Sequence, residues 1–146
     1  MTNFIVRSYI KKDEKQVIQL WKMSNLIIPK NNPLRDIDEK IRFQPDLFLV
    51  GLLDKKLIGT IMVGYEGHRG WINYLAIHQE FRGKGFGVKL MDYATEILTN
   101  MGCQKINVQI RKTNNSVIEF YKKLGFTDDE VISYGKRIEE IDNVSK

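Results

Sequence analysis

The chain has 146 residues, 42% hydrophobic and 28% charged, a length and balance that suit one folded domain over residues 1–146 and exclude an intrinsically disordered protein. Basic residues number 23 against 18 acidic, a net charge of +5, too modest to define a nucleic-acid binder by charge alone. No apolar run approaches the roughly 20 residues of a membrane helix, residues 1–7 lack a signal-peptide apolar region, and a lone cysteine, Cys103, excludes an internal disulfide, so a reducing cytoplasm is expected.

In chain order, residues 4–9 predict a short strand, and residues 13–25 a helix with Val17, Leu20, Trp21 and Ser24 on one face. Pro29-Lys30-Asn31-Asn32-Pro33 carries turn chemistry, and a second helix is expected over 34–43, ending where Pro45 restricts Gln44. Strands at 47–53 and 57–65, joined at Asp54-Lys55-Lys56, predict an antiparallel hairpin. The turn Glu66-Gly67-His68-Arg69-Gly70 leads into a strand at 71–78. Helical spacing resumes after Gly87 through Val88, Met91, Ala94, Thr95, Leu98 and Met101, with Gly102 as its stop. Ile106, Val108 and Ile110 alternate with polar residues as a half-exposed strand. Residues 114–124 predict a helix with Val117, Phe120, Tyr121 and Leu124 on one face, stopped by Gly125. A final strand is expected at 130–138, then a frayed tail after Glu139. This order implies an α/β chain with a mixed sheet: antiparallel strands first, then a strand–helix–strand unit with parallel strands, and helices on the faces.

The most informative stretch is Arg82-Gly83-Lys84-Gly85-Phe86-Gly87, between a strand and a helix start. Glycines let a ligand approach the backbone, and the free N–H groups and dipole of a helix start favour an anion such as a pyrophosphate. A purely structural glycine turn has the same composition, so both readings stand on this segment alone. A Walker loop fails because neither Lys84 nor Lys89 is followed by Ser or Thr, and a dinucleotide fingerprint fails because Val88 and Leu90 stand where glycine is required. Residues 82–112 hold six basic residues against two acidic, which suits an anionic ligand near this segment or a solvated face.

Arg82-x-x-Gly85-x-Gly87 resembles the Q/R-x-x-G-x-G/A signature of the GNAT superfamily of N-acetyltransferases. A second block, Asn114 to Phe126 with Tyr121, Gly125 and Phe126, resembles the family's N-x-x-A-x-x-x-Y-x-x-x-G-F pattern, with Val117 in place of alanine. The resemblance spans roughly 4–138 and implies the GNAT fold: a mostly antiparallel central sheet that splays between its fourth and fifth strands, where acyl-CoA lies. It implies that the backbone of Leu75, Ala76 and Ile77 pairs with the pantetheine arm and thioester. The N–H groups of Arg82, Gly83, Lys84, Gly85, Phe86 and Gly87 are then expected to hold the pyrophosphate of acetyl-CoA, and Asn114 to bond pantetheine. It also implies that Tyr121 protonates the departing thiolate; the alternative is that Tyr121 is core, since it shares a helix face with Val117 and Leu124.

A primary amine, with a pKa near 10.4, must lose a proton before attack. Glu66 is the candidate base, directly or through water, its rival reading being a surface turn carboxylate. His68 and Arg69 decorate a glycine turn or touch substrate; His78 leaves a strand at the surface; Cys103 reads as structural, with no positioned base near it in sequence. Two histidines and one cysteine satisfy no zinc pattern, so no metal is expected. The tripeptides Asn114-Asn115-Ser116 and Asn143-Val144-Ser145 have no meaning as glycosylation sites in a cytoplasmic chain.

The resulting expectation is an N-acetyltransferase using acetyl-CoA and an amine-bearing acceptor, a small molecule, amino acid or peptide N-terminus, working as monomer or homodimer without a membrane. Acceptor choice falls to residues 26–43, the Glu66–Gly70 turn and the last strand, where Leu26, Ile27, Ile28 and Trp71 offer apolar surface and Lys30, Arg35 and Arg69 hint at an anionic group on the acceptor. The competing class is an acyl-CoA sensor or nucleic-acid module on the same fold. Nucleic acid is disfavoured because 105–110 interleaves no aromatics with its basic residues.

Overall fold

The computed structural model describes residues 3–139. The expectations for the tail after Glu139, including the tripeptide at Asn143, lie outside the described residues. The chain forms two compact units, Met1–Val108 and Gln109–Lys146.

The first unit is a five-stranded sheet in sequential order. Its strands are β1 (Phe4–Ser8), β2 (Phe48–Leu53), β3 (Lys56–Tyr65), β4 (Gly70–Ile77) and β5 (Ile106–Val108). The first four pair antiparallel, while β5 runs parallel to β4. The helices are α1 (Glu14–Met23), α2 (Pro33–Phe43) and α3 (Phe86–Asn100). The hairpin between β2 and β3 closes on Asp54 and Lys55, whose positive φ values of 48° and 75° give the turn a twist that matches the right-handed twist of paired strands.

Each helix buries the stripe its spacing offers. Val17, Leu20 and Trp21 of α1 and Ile37 of α2 join Phe48, Val50, Leu57, Met62 and Ala76 of the sheet in one core. On the opposite face α3 buries Phe86, Leu90, Met91, Ala94 and Leu98. Its approach is set by the paired glycines Gly51 and Gly59. A Cβ at Gly59 would stand 3.0 Å from Leu90 and 2.9 Å from Ile77, and one at Gly51 would stand 2.7 Å from Phe4. Leu26 and Ile27, expected as acceptor surface, pack instead against the α1 core.

The central irregularity lies in β4. Thr60 pairs with Ala76 and Met62 with Asn73, so Ile61 alone faces both Tyr74 and Leu75, a β-bulge. Tyr74 takes φ +50°, unusual for a residue with a Cβ. Three contacts hold it there. The fully buried Thr60 hydroxyl donates to Tyr74 O at 2.8 Å and accepts from Trp21 Nε1–H at 2.9 Å. The Trp21 and Tyr74 rings stack with centroids 3.8 Å apart.

The second unit is built on α4 (Asn115–Lys123), which ends in a Schellman motif. Gly125 N–H donates to Lys122 O and Phe126 N–H to Tyr121 O, both at 3.0 Å, with Gly125 at φ +94°. Tyr121 and Phe126 make the accompanying apolar contact, ring centroids 5.1 Å apart and edge-on. The final strand expected at 130–138 does not form. Glu130 adopts φ +57°, and Val131, Ile132 and Tyr134 are 76%, 81% and 90% exposed. Adjacent Val131 and Ile132 break the alternation that buries one strand face, so no packing rewards an extended ladder there.

Candidate active site

The parallel register of β4 with β5 covers only Gly70 to Ile72. Beyond Ile72, β4 has no strand partner on the β5 side among the described residues. Leu75, Ala76 and Ile77 therefore follow the bulge along an edge that a longer β5 would have occupied. His78 N–H donates to Ile58 O of β3 at 2.7 Å, and backbone alternation turns the Ile77 carbonyl the other way, where Arg82 Nε–H meets it at 2.9 Å. Arg82 also reaches Ser24 Oγ at 3.4 Å. Its guanidinium is thus a strut between strand, loop and α1, a role the sequence reading did not assign.

The glycine-rich loop runs from Arg82 into α3. Gly83 and Gly85 have φ of +76° and +88°, the left-handed region that side chains resist, and a Cβ at either would meet nothing within 4 Å. Glycine stands here for backbone shape and leaves open space above it. The first intrahelical bond is Lys89 N–H to Gly85 O at 3.1 Å. The N–H groups of Phe86, Gly87 and Val88 precede it and point out of the helix start with the positive end of its dipole. Phe86 fixes that start from below: its ring is 8% exposed and lies 4.8 Å from the Phe4 ring. Three ammonium groups stand around the loop, Lys84 and Lys56 over Phe81 at 5.7 and 5.4 Å, and Lys89 over Phe86 at 5.4 Å. Lys56 is the first residue of β3, and nothing in the local sequence tied it to this loop.

Glu66 lies in the turn after β3. One carboxylate oxygen accepts the backbone N–H groups of both His68 and Arg69. These bonds, Arg69 first, hold its pKa below the usual carboxylate range. Arg69 donates its own guanidinium to His68 O at 3.1 Å. His78 accepts Glu80 N–H at Nδ1, 3.2 Å away, and so caps the short turn that follows β4. The Cys103 thiol contacts Lys105 O at 3.3 Å.

In the second unit Asn114 caps α4, its side-chain oxygen accepting Val117 N–H at 3.4 Å and the Ser116 hydroxyl at 3.3 Å. Tyr121 is buried, with Phe120 and Phe126 edge-on to its ring, and its hydroxyl bonds to no group among the described residues. Burial raises the phenol's pKa above its ordinary value.

A cleft of about 470 Å³ opens between α2 and β4, lined by Asp36, Glu39, Lys40 and Phe43 on the helix and by Met62, Asn73 and Tyr74 on the sheet. The sequence reading pointed to this region but to other residues. Arg35, taken as a cation for the acceptor, pairs with Glu39 at 3.0 Å. Asp36, Glu39, Lys40 and Phe43 recur at helical spacing, a signal that could have marked this face. Its link to Tyr74, 38 residues away, has no local trace.

Residues 15–126 match the profile of the Acetyltransferase (GNAT) family. The chain belongs to the GNAT acetyltransferases. It is 38% identical over 133 residues to acetyltransferase YE1169 of Yersinia enterocolitica, covering 91% of this chain and 94% of that protein. The fold is similar to that of Ard1 from Thermoplasma volcanium, with a TM-score of 0.76 at 24% identity over 85% of this chain and 82% of that one. It is also similar to AAC(6')-Iy solved with the bisubstrate analogue CoA-S-monomethyl-acetylneamine, with a TM-score of 0.72 at 20% identity over 92% of this chain and 99% of that one. The protein is thus an N-acetyltransferase enzyme of the GNAT type, and its mixed five-stranded sheet, parallel only between β4 and β5, is the sheet expected from the resemblance. The open space above Gly83 and Gly85, the free N–H groups of α3 and the surrounding lysines fit the pyrophosphate of acetyl-CoA. No helix of the described residues is long and apolar enough to cross a membrane.

Proposed function

We propose that this GNAT acetyltransferase, acting as one domain over residues 1–146, moves the acetyl group of acetyl-CoA to a primary amine by direct attack in a ternary complex. The observation that carries this reading is the unpaired edge of β4 beside the glycine-rich start of α3. Leu75 offers backbone groups to the pantetheine arm and thioester carbonyl, whereas Ala76, in register with Thr60, turns its own toward β3 and lines the edge without bonding there. Ile77 offers its N–H, since its carbonyl is bonded to Arg82. The N–H groups of Gly83, Lys84, Gly85, Phe86 and Gly87 take the pyrophosphate, that of Arg82 being bonded to Gln79 O at 3.4 Å, and Asn114 has its amide nitrogen left for pantetheine. Acetyl-CoA, when bound, supplies an acyl group already activated as a thioester.

Tyr121 donates its phenolic proton toward the leaving sulfur. The cleft between α2 and β4 receives the acceptor. Glu66 accepts the amine proton through water; its low pKa keeps it ionised but makes it a weak base, which suits a relay better than full transfer.

The test is a thermal shift with acetyl-CoA. Ligand at about 100 times its dissociation constant adds roughly 2.7 kcal/mol, a rise of several degrees for a domain of about this size. Gly85→Ala, which forces a Cβ into a φ of +88°, is expected to shrink that rise. No rise with saturating acetyl-CoA in folded protein overturns the reading. For the base, Glu66→Gln is expected to lower kcat/KM at neutral pH, with a deficit that shrinks as pH climbs toward the amine's own pKa. A deficit equal at all pH values assigns Glu66 to the turn alone.

A further inference from the structure

We propose that the cleft between α2 and β4 selects acceptors with a second cationic group: diamine or polyamine chains whose far ammonium is held by Asp36 while the near amine is acetylated. This rests on the acceptor reading above and narrows it to a substrate class.

The charges of the cleft carry the inference. Asp36 and Glu39 bring two carboxylates to its wall and Lys40 one ammonium. That ammonium is already committed, donating to Val63 O and to Gln44 Oε1, the latter at 3.0 Å. Burial also lowers its pKa to about 8, so it stays mostly charged at neutral pH, spends that charge on these two oxygens and loses it on the alkaline side. Glu39 is met from outside by Arg35 at 3.0 Å. Asp36 is left as the uncompensated carboxylate.

Hydrogen bonding aims Asp36 at a cation. Asn31 Nδ2–H donates to Tyr74 Oη at 2.8 Å, and Tyr74 O–H donates to Asp36 Oδ2 at 2.6 Å. The hydroxyl's proton is fixed on Asp36 by this chain, and the Trp21 stack fixes the ring. Asp36 Oδ1 has no partner among the described residues. The walls suit an aliphatic spacer: Met62 lies at the floor, and Phe43, 76% exposed, gives the rim an aromatic face that attracts ammonium groups. A volume of about 470 Å³ admits a short chain. Tyr74 belongs to the same bulge as Leu75, so the cleft opens beside the edge proposed for the thioester. An acceptor ending in a carboxylate meets Asp36 and Glu39 as like charges.

The experiment compares three acceptors of matched length: 1,4-diaminobutane, butylamine and 4-aminobutyrate. A charge-assisted contact is worth about 10- to 100-fold. Accordingly kcat/KM for the diamine is expected to exceed that for butylamine by roughly this factor, with 4-aminobutyrate poorest. Calorimetry in the presence of CoA is expected to rank binding in the same order. Asp36→Asn, which keeps an acceptor for the Tyr74 hydroxyl, closes the gap between diamine and butylamine; Glu39→Gln narrows it less. Melting temperature and the acetyl-CoA shift report whether each variant is folded. Equal use of diamine and butylamine, a preference for 4-aminobutyrate, or acetyl-CoA binding without turnover of the diamine overturns the inference while leaving the cosubstrate reading intact. Absence of any acetyl-CoA shift overturns both.

Discussion

Tyr121→Phe is expected to lower kcat by about 100-fold while leaving acetyl-CoA affinity and folding nearly unchanged. The substitution keeps the ring, and with it the edge-on contacts to Phe120 and Phe126 that accompany the helix stop. It removes only a hydroxyl that bonds to nothing else among the described residues, so no buried partner is orphaned. Burial raises the phenol's pKa, which keeps it protonated and able to donate across the working pH range. The sign follows: a group needed in its protonated form, with its pKa raised, gives no fall in rate until well above pH 10, its ordinary value being about 10. Thiol release under saturating acetyl-CoA measures the rate, and calorimetry measures the affinity. Turnover equal to the parent enzyme assigns Tyr121 to the Schellman motif and nothing more.

Trp21→Ala is expected to cost about 3–5 kcal/mol of stability, a fall in melting temperature on the order of 10 °C. Trp21 is fully buried, stacks on Tyr74 at 3.8 Å and lies 6.0 Å from the Phe48 ring. Truncation leaves a cavity under the sheet and deprives Thr60 of its donor. Trp21→Phe separates the two contributions: it retains an aromatic ring but loses the indole N–H, at about 1 kcal/mol. Calorimetric melting of the three proteins decides the point. A loss under about 1 kcal/mol for the alanine variant would mean that Tyr74 and Phe48 close over the gap.

These two residues mark how far the sequence could be read. The α4 block was legible because its signals are local: Tyr121, Gly125 and Phe126 sit at the spacing a helix stop demands, and glycine is the residue that takes the left-handed step. The glycine loop and the Asp54–Lys55 hairpin were legible for the same reason. The bulge was not. Tyr74 at φ +50° contradicts its own preference and is held there by Thr60, Trp21 and Asp36, residues 14, 53 and 38 positions away. The final strand failed in the opposite sense, since residues 130–138 have the composition of a strand but neither alternation nor ladder. The acceptor cleft lay between these cases: its region followed from the resemblance, but its charge depended on which cations were already paired.

The glycine pair Gly51 and Gly59 sets a distance rather than a conformation. Where two methyl groups are absent, Leu90 rests 3.0 Å from where a Cβ of Gly59 would begin and 3.4 Å from that of Gly51, so the depth at which α3 sits is written into β2 and β3. The anion-binding loop is the first turn of that same helix. Its height above the sheet is therefore governed by residues about thirty positions upstream that touch no ligand, and the grip on a phosphate can be retuned from the middle of the sheet.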